Sequence, residues 1–197
     1  MAFSGGTAPE LALWASKGAT PRIKERPMAK DQFTDAIALL KADHREVEEL
    51  FAKFENASGD GKKQQIAEQI CTELKIHTMI EEEIFYPALE GKIEEDTLSE
   101  AYVEHDGAKV LINDIVAGGP DDEFYDAKVK VLGEEIEHHV KEEEAPSEGM
   151  FAQARKADVD LIALRDLMMA RKEELLAQAE SSGLPPAQPA AVNPQAA

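Results

Sequence analysis

The chain has 197 residues, with 40 Asp and Glu against 21 Lys and Arg and a formal net charge of −19. That length accommodates one ordinary domain plus tails, and the charge argues against nucleic acid or an anionic membrane as a partner while favouring cations. The single cysteine, Cys71, excludes an intramolecular disulfide and points to a reducing, cytoplasmic setting, and no run reaches the roughly 20 apolar residues of a membrane span.

Residues 1–30 are rich in Gly, Ala, Pro and Lys without a sustained period, and read as a disordered leader in which Met28 is a candidate natural start. A first helix is expected over about 32–57, where Phe33, Ile37, Leu40, His44, Val47, Phe51 and Phe54 recur at steps of three and four. A second, about 61–90, turns Ile66, Ile70, Leu74, His77, Glu81, Ile84 and Phe85 to the same side, and Pro87 helps to end it. A third, about 94–117, presents Leu98, Tyr102, His105, Ile112 and Ile115 and stops at "GGP". A fourth, about 121–144, carries Tyr125, Val129, Leu132, Ile136, His139 and Glu143. A fifth, about 150–180, with Leu161, Leu164, Leu167, Met168 and Leu175, should pack outside the others, and residues 181–197, Pro- and Ala-rich, read as a disordered tail. Four long helices joined by short loops imply an all-α, up-down-up-down four-helix bundle, residues 31–148, with an additional C-terminal helix, residues 149–180.

Each bundle helix places a histidine on its own apolar stripe: His44, His77, His105 and His139. In each half of the chain the second of these is followed four residues on by a glutamate, giving His77/Glu81 and His139/Glu143. A single histidine on an apolar face is ordinarily a core residue with a hydrogen-bond partner. Four on facing stripes, two with an inward glutamate one turn away, would cost several kcal/mol if left unpaired. Coordination to metal offsets that cost. Imidazole and carboxylate without thiolate suit iron, manganese or zinc, and six inward donors exceed one tetrahedral zinc. Two carboxylates able to bridge point to a dinuclear centre, with iron the first choice. The Glu-x-x-His pairs of ferritin-like bundles occur here once, at Glu135/His138. His138 with Glu142 offers an alternative register, but its stripe is less apolar than that of His139.

The stretches "ADHREVEELF", "IHTMIEEEIFYP", "YVEHDGAKVL" and "HHVKEEE" resemble successive helices of bacterial hemerythrin-like proteins with the HHE cation-binding domain, over about residues 33–155. The resemblance implies two non-haem iron ions, oxo- or hydroxo-bridged, with His44, His77, Glu81, His105, His139 and Glu143 as metal ligands. Oxygen-carrying hemerythrins place two histidines four apart on the third helix, whereas Ala101 and Lys109 flank His105 at that spacing. Their fourth-helix carboxylate is also an aspartate five residues beyond its histidine. This chain is one histidine short of that set, and Tyr102 or Glu104 is a candidate to complete it. The expected function is binding of O2 or a related small ligand, NO or peroxide, for sensing, storage or stress protection. The alternatives are a di-iron enzyme decomposing hydrogen peroxide in catalase-like fashion, and an iron-handling protein.

Overall fold

The computed structural model describes residues 32–192; the expected leader and Met28 lie outside the described residues. Helix α1, Ala36–Glu55, begins where the Asp35 carboxylate accepts the Ala38 N–H at 2.9 Å. Gly59, at φ +89°, turns the chain into α2, Asp60–Ile80. That helix continues through a π turn, Glu81–Phe85, into a last short turn α3, Tyr86–Leu89. The bundle is completed by α4, Glu95–Gly118, and α5, Tyr125–Glu143. The four are arranged up-down-up-down, with α1 beside α2 and α5, and α4 beside the same two.

Two boundaries differ from the sequence expectation. Residues 121–124 form a turn, in which Asp122 accepts the Phe124 N–H at 2.7 Å and holds Lys128 at 2.6 Å, so α5 starts later. The fifth helix is two: α6, Met150–Ala154, and α7, Leu161–Ser182. Asp160 restarts the chain by accepting the N–H groups of Ile162 and Ala163. Helix α7 packs on α1, α2 and the π turn. It buries Met168, Met169 and Leu175, while Leu167 is 58% exposed.

The Pro- and Ala-rich segment after Gly183 was expected to be disordered, yet as far as Val192 it runs as an extended strap across the bundle. Lys75 donates to the Pro185 carbonyl, Asn113 exchanges two hydrogen bonds with Ala187, and Asp106 accepts the N–H groups of Ala190, Ala191 and Val192 at 2.6–2.8 Å. Composition does not reveal this because the strap's partners are polar side chains on distant helices rather than an apolar stripe of its own.

Within the bundle the core is split in two. Ile37, Leu40, Ile80, Phe85, Leu89 and Phe151 belong to one apolar cluster, and Val47, Leu50, Ile70, Leu74, Ile112 and Leu132 to the other. On α1, α2 and α4 the inward histidine falls where one cluster gives way to the other, while α5 contributes to the second cluster alone, as far as Val140 beside His139. Cys71 is buried in the second cluster, as its type suggests.

Burial raises the Glu73 carboxyl from 4.5 to about 7, despite the nearby charge of Lys172. The folded chain therefore binds an extra proton between these values, and stability falls as pH rises from 4.5 to 7. Glu73→Gln should be more stable than the parent by roughly 2–3 kcal/mol at pH 8 and nearly equal to it at pH 4. Urea unfolding at the two pH values checks this.

Candidate metal centre

The polar layer between the clusters gathers all six residues singled out in the sequence. Exposure is 0–5% for His44, His77, Glu81, His105, His139 and Glu143. The imidazoles point their Nε2 atoms inward, and these meet in pairs: His44 with His77, and His105 with His139, each at 3.2 Å. Two facing ring nitrogens can share at most one hydrogen. Glu81 Oε2 lies 3.1 Å from His77 Nε2 and 3.3 Å from His105 Nε2. Glu143 Oε2 lies 3.4 Å from His44 Nε2 and 3.6 Å from His139 Nε2. Each carboxylate thus spans the two histidine pairs. Two groups of donors, each with its atoms within 4.8 Å, result: His44, His77, Glu81 and Glu143, and Glu81, His105 and His139. The side chain of His138 is 62% exposed and pairs outside with Glu142, in agreement with the more apolar register.

Behind the histidines stands a ring of carboxylates, of which the sequence reading singled out only Glu104, and that as a candidate inner ligand. Glu144 holds His44 Nδ1 at 2.9 Å, Glu82 holds His105 Nδ1 at 2.9 Å, and Glu104 holds His139 Nδ1 at 2.8 Å. Asp43 faces His77 Nδ1 at 3.7 Å, too long for a hydrogen bond. A carboxylate on Nδ1 fixes the ring's orientation and leaves Nε2 free as a donor to a metal. Glu104 therefore backs a histidine instead of completing the inner set.

The inner position belongs to Tyr86. Its hydroxyl donates to Glu143 Oε1 at 3.1 Å and lies 3.2 Å from His105 Nε2 and 3.4 Å from Glu81 Oε2. Tyr102, the residue named from the sequence, instead packs its ring edge-on against Tyr86 at 5.2 Å. The π turn causes the exchange. In a regular helix Phe85 would follow Glu81 on the same face, but the Tyr86 N–H bonds the Glu81 carbonyl, five residues back, and brings Tyr86 onto that face. Pro87 favours the irregularity, since it lacks an N–H and its ring crowds the carbonyl four residues earlier.

The electrostatics are those of a site built for positive charge. Burial opposes protonation of His77, yet the charge of Glu81 and the nearby Asp43 push it up to about 10. His105, equally buried, rises to about 8 beside Glu81 and Glu82. Glu81 is held well below the usual carboxylate range, against its own burial, by His77 and His105. Burial and the charges of Glu143 and Glu81 push the Tyr86 phenol well above its ordinary value. Even so, Glu81 Oε1, Glu143 Oε2, Asp43 Oδ2 and His77 Nδ1 are buried without a hydrogen-bond partner. Orphaned buried carboxylate oxygens are costly, and a cation would satisfy the two on the glutamates. The donor set fits a metal pair. Against the histidines, on the side away from Tyr86, lies a cavity of about 10 Å³ whose other walls include Val47, Leu74, Ile136 and Val140.

The comparisons with known proteins agree with this geometry. The family model "Hemerythrin HHE cation binding domain" matches residues 35–151. A hemerythrin HHE cation-binding domain-containing protein from Mycobacterium kansasii has the same fold, with a TM-score of 0.63 over 77% of this chain and 96% of the other at 22% identity. A DNA nickase from Nostoc sp. is 29% identical over 107 residues, which is 54% of this chain but 30% of that relative's length. No helix among the described residues is long and apolar enough to cross a membrane.

Proposed function

Because the chain belongs to the hemerythrin HHE cation-binding domain family and carries that family's metal-binding bundle, we propose that its buried layer holds two non-haem iron ions and binds O2, NO or peroxide. His44, His77, Glu81, His105, His139 and Glu143 would be the ligands, and Tyr86 a seventh donor beside Glu143 and His105. Bound iron would supply reversible electron transfer and open positions for a small ligand. The observation that carries this reading is the pairing of two histidine couples through two shared carboxylates, each with an unpartnered buried oxygen. The small, partly apolar cavity against the histidines supports a diatomic or similarly small ligand, since it offers room for about one water-sized molecule.

The protein's own groups have defined tasks in this scheme. Glu82, Glu104 and Glu144 orient three of the rings, the two apolar clusters exclude bulk water, and the Tyr86 hydroxyl holds a proton beside Glu143. That proton favours a second reading, catalase-like peroxide decomposition, which needs a proton donor at the site. Sustained O2 evolution from peroxide would select it; saturable O2 or NO difference spectra without turnover would select binding. Iron handling predicts instead a site that empties readily to chelators.

Metal analysis after iron reconstitution should give two irons per chain, and fewer than one would overturn the proposal. Tyr86→Phe should retain iron but lose any visible band due to phenolate coordination. Chelation should lower Tm by about 10 °C, because a ligand at a thousand times its Kd stabilises by about 4 kcal/mol and each kcal/mol moves a chain of this size by about 2–4 °C.

A further inference from the structure

The four carboxylates behind the core histidines are not equally neutralised. Asp43 carries Lys172 at 2.6 Å, Glu82 carries Lys109 at 2.7 Å, and Glu144 carries Lys41 at 3.1 Å together with Arg45. Glu104 has no Lys or Arg partner among the described residues. One of its oxygens serves His139 Nδ1, and the other faces His138 Nε2 at 3.4 Å. His138 Nε2 in turn lies 3.2 Å from Glu142, which likewise has no Lys or Arg partner among the described residues. A single ring N–H can serve only one of these two carboxylate oxygens at a time. Three donor atoms from two helices, all within 4.8 Å, therefore converge where the other three corners have a fixed side-chain cation.

The sequence repeats the arrangement one residue out of step. His139 and Glu143 face the core, and His138 and Glu142, with the same spacing, face solvent. On α4, His105 faces inward and Glu104 outward. Helix packing then brings Glu104 against His138 just as it brings His105 against His139.

We propose that Glu104, His138 and Glu142 form a second, solvent-facing cation site that takes one divalent ion of the zinc, cobalt, manganese or iron(II) class. One imidazole and two carboxylates suit these ions, with water filling the remaining positions. Glu104 is already fixed by its hydrogen bond to a buried histidine, so the site is partly organised before the ion arrives. The net charge of the chain raises the local concentration of divalent cations. The ion supplies the positive charge that lysine or arginine supplies elsewhere in the ring. Because Glu104 is shared, occupancy outside alters the carboxylate that backs His139.

The test is equilibrium dialysis of the full chain, with its resident metal in place, against micromolar Co²⁺ or Zn²⁺. The parent should take up one ion per chain more than His138→Ala. Glu142→Gln should bind that ion at least tenfold more weakly. His138→Lys, which restores a side-chain cation, should bind none. All three changes are on the surface and leave the fold intact. His77→Ala, which alters the core site alone, should keep the outer ion, so the count does not depend on the di-iron reading. Equal uptake with equal affinity by the parent and His138→Ala would overturn the proposal. So would loss of the extra ion in His77→Ala with retention in His138→Ala.

Discussion

Glu81→Leu is expected to abolish metal retention and, at the same time, to make the metal-free chain less stable. Glu81 is fully buried, is shared by both donor groups, and leaves one oxygen without a partner. Under the proposed ligand set its removal takes a ligand from each metal position, so the metal count should fall from two to below one per chain. In the chelated protein the same carboxylate is a buried charge held between two histidines. Removing one partner while the two histidines stay buried costs about 3–5 kcal/mol, which corresponds to a fall of about 10 °C in Tm for a chain of this length. Calorimetry of both chelated proteins, with metal analysis of the untreated ones, reads both effects. A variant that keeps two ions, or a chelated variant that melts at or above the chelated parent, would refute this account of the site.

Metal affinity should climb steeply with pH, opposite in sense to the stability contribution of the same histidines. In the metal-free fold His77 is raised to about 10 and His105 to about 8, so both hold protons at neutral pH. Their pairing with carboxylates stabilises the metal-free fold fully below the unfolded value of 6.5, and this contribution is lost as pH rises through 8 and then 10. A metal requires the unprotonated ring and displaces those protons. Each proton released steepens the dependence, so apparent affinity should rise by about ten- to a hundredfold per pH unit between 6 and 8. Calorimetric titration in two buffers of different ionisation enthalpy counts the protons directly. Release of none at pH 7 would mean that the histidines are already neutral.

The bundle and its inner residues were legible because both are written in a 3.6-residue period. His44, His77, His105 and His139 each interrupt an apolar stripe, and the hydrophobicity of the surrounding stripe separated His139 from His138. The carboxylates on the Nδ1 atoms were not legible. Glu82 and Glu144 lie in acidic runs that read as solvated faces, and their roles depend on which helix packs beside them. Tyr86 was missed for a different reason: the period itself changes at Glu81–Phe85, and a stripe drawn with one repeat selects Phe85. Pro87 was the available signal, read as a stop when it marks a change of winding. The strap after Gly183 has no period at all, and only its partners, Lys75, Asn113 and Asp106, define it.

The wide turn also bears on how related chains should be aligned. A π turn is a regular helix with one residue too many, so a relative lacking one position between Glu81 and Tyr86 would still present its tyrosine at the same place. The spacing from the glutamate would then be four instead of five. An alignment that forbids a gap within this helix would pair Tyr86 with the wrong column, and the phenol would look unique to this chain. Length variation at this point is neutral with respect to the site, and the pattern to search for is a tyrosine either four or five residues beyond the first glutamate.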